Sequence, residues 1–598
     1  MENRGESPLE NFVVALGVAA GVVLGCVWFG ARVALLVAGR EGDVGLPAAV
    51  VAVKGLPGTV FEPRLAWPEP VRSVLPGPWV YWACTLLVFV VVGVVAGVGV
   101  RWWFGRWRVG PERRSRFGVP AQSGLASCRD LAPLVVGGPV SDRLLLGTVS
   151  GVLVATESRT AGAGQHGGRV SLVRRTAGVR SATRVGDRGA VALFGPSRCG
   201  KTTAAISGIL GWDGPAILSS VKDDLLDATL RSREDRGVVK VFAPTHADSA
   251  TWSPLRNARS YSGARAAARG LCDGAPRSGI DGGGDFWFLQ VEILLSSLLW
   301  VAANTPGMGM GDVCEWVMSQ CKDHAGGFAT AVHLERLGNS PDPEVRDAAC
   351  RVDAALGGVL AGEERLRGST FATATAAVWP WTDPTVERSA RSSEISLDWL
   401  VSGNNTLYLC GPLQDQRRFA PVFGGLLADM VDQVYTRAEQ TGGPLVRPVL
   451  VVMDEAGNTP LRQLPEWAST VAGHGLQLVT IWQSKAQLDS IYGHADADTI
   501  LTNHLTKIGF SGLSDRSSLD YLSFLVGDEQ VVTRSVSRDG AGGRDRTVSE
   551  ATSTMPIIAP AKLREMRPGH GVLIHGSLPP AYVETLNFRD RRTRHLLR

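Results

Sequence analysis

At 598 residues the chain is too long for one domain, and with 44% hydrophobic and 20% charged residues it can bury a large core. Its 61 basic and 57 acidic residues leave a net charge of +4, too little to argue for a nucleic-acid partner from the total alone. The nine cysteines form no C-x-x-C pair, which argues against a disulfide framework or a zinc site and for free thiols in a reducing compartment.

The first predicted elements are two uncharged apolar runs, residues 11–31 (NFVVALGVAAGVVLGCVWFGA) and 78–100 (PWVYWACTLLVFVVVGVVAGVGV). Each is long enough to cross a hydrocarbon core of about 30 Å. Trp79, Tyr81 and Trp82 at one end of the second run, with Trp102 and Trp103 at the other, fit the aromatic belts of a span. A cleaved signal peptide suits the first run less well, because its apolar stretch is long for an h-region and its leader MENRGESPLE has more acid than base. Arg101, Arg106, Arg108, Arg113, Arg114 and Arg116 crowd the end of the second run. By the positive-inside rule that end is cytoplasmic, and so are both termini, with residues 39–77 outside as a loop of little patterning. The expectation is a multi-pass protein of the cell membrane whose residues 1–110 are an anchor.

Next comes VALFGPSRCGKTTA, residues 191–204. It fits G-x-x-x-x-G-K-[ST] without a gap. Gly195, Pro196, Ser197, Arg198, Cys199, Gly200, Lys201, Thr202 and Thr203 then form a phosphate cradle between a strand and a helix. Backbone N–H groups converge on a polyphosphate only where no side chain obstructs them, a lysine reaches the β and γ phosphates, and the Thr202 hydroxyl completes a magnesium shell. ATP with Mg2+ is the expected ligand. Arg198 either adds a phosphate contact or points to solvent.

Residues 258–392 carry helical periodicity and few strand signals, as in FWFLQVEILLSSLLWVAA, DVCEWVMSQCKDHA and DPEVRDAACRVDAALGGVLAG. They are expected to form an all-α domain inserted between residues 111–257 and 393–598, two parts of one nucleotide-binding α/β domain. In the second part RPVLVVMDEAGNTP ends an apolar strand on Asp454 and Glu455. In a P-loop ATPase such an aspartate orders magnesium and the adjacent glutamate polarises the attacking water. Gln483 closes the following strand, LQLVTIW, at the edge where a γ phosphate is sensed. Lys201, Glu455 and Gln483 are the candidate catalytic residues, and Thr202 and Asp454 the candidate magnesium ligands. Arg417 and Arg418 contact a subunit partner, line a pore or form an exposed pair. The five arginines of NFRDRRTRHLLR contact DNA phosphates or acidic lipid, or simply face water. His474 and His504 lack partners at ligand spacing.

These motifs, in this order, resemble the type IV secretion coupling proteins of the TraG/TraD kind over nearly the whole chain. The resemblance includes the two-span anchor, RFGVPAQSGLASCRDL, and the P-loop. It continues through Lys222 and Asp223, Phe242 and Pro244, Trp252, Pro254 and Leu255, then Phe286 and Trp287 entering the α domain. It ends with the Asp454–Gln483 stretch, FSGLSDRSSLDYLSFLVGDEQV and RPGHGVLIHGSLPPAYVE. It implies a RecA-like motor, a homo-hexamer under the inner or cytoplasmic membrane. Such a motor carries DNA, in single-stranded form, with its relaxase or relaxosome to the proteins of a secretion channel. The family's arginine before its R-x-x-G-[LI] glycine is absent from Ala472-Gly473-His474-Gly475-Leu476, so either Arg516 or Arg564 substitutes as a finger on a neighbouring nucleotide or ATP turnover is slow. Two other functions fit the same motifs: an FtsK-like double-strand DNA pump, whose usual C-terminal winged helix is not evident, and a docking receptor for protein cargo that uses ATP for assembly.

Overall fold

The computed structural model describes residues 8–107, 124–157, 189–220, 224–275, 284–322, 327–411, 418–538, 546–590, 593 and 595–597. The chain divides into two compact units, Met1–Ala121 and Gln122–Arg598. Lys222, Asp223, Arg417 and the arginines from Arg108 to Arg116 lie outside the described residues.

The first unit holds two long helices, Pro8–Val37 and Pro78–Trp107. Their windows Ala20–Val37 and Pro78–Val95 have mean hydropathies of 2.0 and 2.1 and are only 33% and 17% buried, so both are long and apolar enough to cross a membrane. At their crossing a Cβ on Gly30 would lie 2.8 Å from Thr85 Cα, a close approach that only glycine permits. The connection between them is more ordered than its sequence pattern predicts. It forms the helix Leu46–Gly55 and the 3-10 turns Leu56–Gly58 and Pro63–Ala66. Val44, Ala49, Ala52, Leu56 and Trp67 are buried in it. The Trp67 indole donates to the Tyr81 hydroxyl at 3.3 Å and the Trp82 indole to the Val60 carbonyl at 2.8 Å, so the core closes on side chains borrowed from the second helix.

The second unit is built on an eleven-stranded sheet whose strands are β1 (Leu145–Val149), β2 (Val152–Ala155), β3 (Val191–Phe194), β4 (Ala216–Ser220), β5 (Val239–Phe242), β6 (Thr406–Cys410), β7 (Val449–Met453), β8 (Leu476–Trp482), β9 (Thr506–Phe510), β12 (His570–His575) and β13 (Ala581–Glu584); β10 (Asp528–Arg538) and β11 (Arg546–Pro556) pair separately as a hairpin. The order is β2-β1-β13-β12-β9-β3-β8-β7-β4-β6-β5. From β9 to β5 every pair is parallel, while β9-β12-β13-β1-β2 is an antiparallel wing. Strands β3, β4 and β6 to β9 are buried at every position, as parallel strands covered on both faces must be.

Alternate side chains of β3 divide the core. Ala192 and Phe194 face one cluster, which runs without a break into the helices after β5. Val191 and Leu193 face the other, with Ile209 of the helix Lys201–Gly211 and Trp212 just after it. Between β5 and β6 the described elements are helices, from Tyr261–Asp273 to Leu397–Val401. Their core residues Leu298, Trp300, Val352 and Trp381 join the same cluster as Phe242 and Phe423.

Candidate nucleotide-binding site

The loop between β3 and its helix is held from both sides. The Gly195 N–H donates to the Trp482 carbonyl at 3.2 Å, tying the loop's start to the end of β8. The Gly569 N–H donates to the Cys199 carbonyl at 3.0 Å, tying its far limb to the turn before β12. The loop reverses through Arg198 at φ +67° and Gly200 at φ +110°. Glycine takes that second angle freely, whereas Arg198, which is exposed, holds the first at a conformational cost. A Cβ on Gly195 would lie 2.4 Å from Cys199 Sγ and 3.0 Å from Phe510 Cβ, so this position is closed to any side chain.

Lys201 opens the helix and is 8% exposed. Its ammonium donates to the Gly195 carbonyl at 2.5 Å and to the Pro196 carbonyl at 2.7 Å, and lies 3.9 Å from Cys199 Sγ. The lysine thus curls over the loop with its charge at the cradle. Burial raises the pKa of the Cys199 thiol, the nearby Lys201 charge opposing it, so the cysteine is a packed thiol and not a thiolate. Thr202 and Thr203 follow in the first turn, half-buried, where N–H groups have no partner within the helix. A convergent set of such donors with a lysine and a hydroxyl matches a polyphosphate.

Asp454 and Glu455 follow β7, with β8 between them and the P-loop strand. Two strand spacings separate β7 from the P-loop strand by about 10 Å. The Asp454 N–H donates to the Ser219 carbonyl of β4 at 2.9 Å, which fixes the start of the turn. Glu455 takes φ +53°, a left-handed angle that costs a non-glycine residue energy and marks a held conformation. Its carboxylate accepts from Asn458 Nδ2 at 2.9 Å. Gln483 is exposed at the end of β8, next to the residue whose carbonyl anchors Gly195. The fold therefore brings the cradle, the acids and the glutamine to the carboxyl ends of neighbouring strands.

Sequence reasoning missed Gln487. Its side-chain oxygen accepts from the Gln483 N–H at 3.0 Å, and its amide lies 2.5 Å from where a Gly457 Cβ would sit. It thus bridges the end of β8 to the acidic turn, a role no motif announces. The substitutes for the missing arginine are both at the surface: Arg516 pairs with Asp520 at 3.0 Å, and Arg564 is 3.8 Å from Glu565. His474, where the family's arginine segment runs, has its Nδ1 2.9 Å from the Thr470 carbonyl and its ring 4.5 Å from that of Tyr435, which is a packing role.

Residues 158–595 match the family described as Type IV secretory system Conjugative DNA transfer. The chain belongs to this family. Among curated relatives, Protein VirD4 of Agrobacterium fabrum (strain C58 / ATCC 33970) is 26% identical over 218 residues, 36% of this chain and 32% of that protein. Conjugal transfer protein TraG of the same organism is 24% identical over 187 residues, 31% and 28% of the two chains. The aligned stretch is thus about a third of those relatives' length. The bacterial conjugative coupling protein TrwBdeltaN70 superposes with a TM-score of 0.53 at 15% identity, covering 78% of this chain and 94% of that one. The plasmid coupling protein TrwB in complex with ADP and Mg2+ gives 0.51 at 16% identity, covering 79% and 97%. These establish a shared fold: a RecA-like sheet with a helical insertion, in a chain of the conjugative transfer family.

Proposed function

We propose that the protein is a membrane-anchored ATPase that couples DNA, with an attached relaxase, to a type IV secretion channel in conjugative transfer. The observation that carries this is the meeting of the P-loop with Asp454, Glu455 and Gln483 on adjacent parallel strands in a chain whose family is conjugative DNA transfer. A structural relative in the same fold binds ADP and Mg2+.

Lys201 neutralises charge on the β and γ phosphates, and the N–H groups of residues 199–203 hold them in place. Thr202 and Asp454 fit a magnesium site, through a hydroxyl and a carboxylate, and the cation would supply charge neutralisation between the terminal phosphates. Glu455, fixed in its turn and bridged to Asn458, orients the attacking water and accepts its proton. Gln483 reads whether the γ phosphate is present.

The two apolar helices anchor the motor to the cell membrane, with its catalytic unit and both termini in the cytoplasm. The motor works as a homo-hexamer in which each nucleotide lies between neighbours. The test is ATP hydrolysis by the full chain in lipid nanodiscs, with and without single-stranded DNA. Hydrolysis that rises with DNA, with the gain falling as salt screens phosphate contacts, is the expected result. Hydrolysis indifferent to DNA, with effector proteins bound, would point to a docking receptor; stimulation by duplex alone would point to a double-strand pump.

A further inference from the structure

A cavity of about 360 Å³ adjoins the P-loop on the side away from Asp454. Gly200 and Thr203 form one wall; Gly569, Thr585, Asn587 and Asp590 form the other. Its volume lies within the range of small-ligand pockets.

The strand order gives this cavity a direction. Strand β3 is flanked by β8 and β7 on one side and by β9, β12 and β13 on the other. A nucleotide whose terminal phosphates point toward Asp454 projects its sugar and base the opposite way, over the β12–β13 wing. The cavity's far wall is there, and it is fixed. The Thr585 N–H donates to the Gly569 carbonyl at 2.8 Å, and its hydroxyl donates to the same carbonyl at 2.9 Å. The buried Ser207 hydroxyl, on the P-loop helix, donates to the Leu586 carbonyl at 2.6 Å. Leu586 is 2% exposed and packs with Leu145, Leu153 and Ala155, so the chain is clamped across the helix just before Asn587. The Asp590 N–H donates to the Asn587 carbonyl at 2.9 Å, closing the turn that carries the Asp590 carboxylate to the cavity.

The cavity is polarised. Arg198 lines it on the loop, and the acidic residues Glu584 and Asp590 line it away from the loop. An ionised carboxylate only accepts hydrogen bonds, so it favours a base edge that presents N–H groups over one that presents a carbonyl or a bare ring nitrogen. We propose that this cavity is the base subsite of the nucleotide site and that Asp590 selects a purine bearing an amino group. This rests on the nucleotide-binding reading above and adds to it the part of the ligand that no P-loop motif specifies.

The test is calorimetric titration of the full chain in nanodiscs, with magnesium, using ATP, purine riboside triphosphate (which lacks the amino group) and inorganic tripolyphosphate. The wild type should bind ATP about tenfold or more tighter than purine riboside triphosphate. Asp590→Ala should lower ATP affinity to the purine riboside value and leave tripolyphosphate unchanged. Asn587→Trp, which narrows the cavity, should weaken both nucleosides and spare tripolyphosphate. An equal affinity of the wild type for ATP and purine riboside triphosphate would overturn the proposal, as would an unchanged ratio in Asp590→Ala. Binding of tripolyphosphate as tight as ATP would sink the base subsite while leaving the phosphate cradle standing. No binding of any of the three by the wild type would remove both.

Discussion

Gly195 offers a direct test of whether the loop geometry governs nucleotide affinity. A Cβ at this position would lie 2.4 Å from Cys199 Sγ, against an ordinary contact of about 3.5–4.0 Å, so something must yield by more than about 1 Å. The thiol is a poor candidate, because it is short, 5% exposed and packed in the core below the helix. The loop must move instead, and it carries both carbonyls that receive the Lys201 ammonium. Overpacking of this kind costs about 1–3 kcal/mol, which for a loop that must close on phosphate is an affinity loss of about 5- to 150-fold. Gly195→Ala should therefore weaken ATP binding by roughly that factor, measured by titration calorimetry on the full chain. The double variant Gly195→Ala/Cys199→Ala removes the closest collision and should recover about tenfold. Recovery stays partial because Phe510 Cβ still lies 3.0 Å from the new methyl. Wild-type affinity in Gly195→Ala, or no recovery in the double variant, would refute the steric account.

Lys201→Ala and Asp454→Ala should each abolish ATP hydrolysis with little change in melting temperature, since on the proposed assignment one removes phosphate neutralisation and the other a magnesium ligand; normal turnover in either would end that assignment. Glu455→Gln keeps the shape of the turn but weakens the base, so the variant should retain ATP after gel filtration where wild type releases ADP. Stability should fall in acid. His504 is fully buried between the Thr480 hydroxyl at 2.9 Å and the Ile500 carbonyl at 2.6 Å, and burial lowers its pKa from 6.5 to about 4. The unfolded chain takes up a proton near pH 6.5 that the folded chain refuses until about pH 4. Stability is therefore complete above pH 6.5 and declines across that window, by about 3 kcal/mol for this group. His504→Asn should flatten the fall of melting temperature between pH 6.5 and 4, and an unchanged slope would contradict the burial argument.

What the sequence revealed was what depends on neighbours along the chain. The P-loop needs Gly195, Gly200, Lys201 and Thr202 within eight residues, and the apolar runs of β7 and β8 end where their polar residues begin, so motif and structure coincide. The long helical stretch after β5 showed in its periodicity for the same reason. The anchor loop did not, because its core residues are scattered singly between Val44 and Trp67 and completed by Tyr81 from a helix. The β1–β2 hairpin had a local signal, Ser150 and Gly151 at φ +51° and +79° in a tight turn, but nothing local says that β1 pairs with β13 near the other end of the chain.

That distant pairing decides how the nucleotide site is assembled. The cradle is contiguous, but the candidate acids Asp454 and Glu455 follow β7 about 250 residues later, and the wall formed by residues 569–590 arrives later still. The entropic cost of loop closure grows only slowly with length, so such separation costs little in final stability. Each bond that ties the P-loop to β8 or to the turn before β12 is then made by the finished sheet and not by the motif. The loop's sequence supplies donors that can hold phosphate, whereas the Trp482 and Gly569 contacts fix where those donors point. A P-loop peptide alone therefore has the donors without their geometry, and the shape of the loop in this protein depends on strands that no reading of residues 191–204 contains.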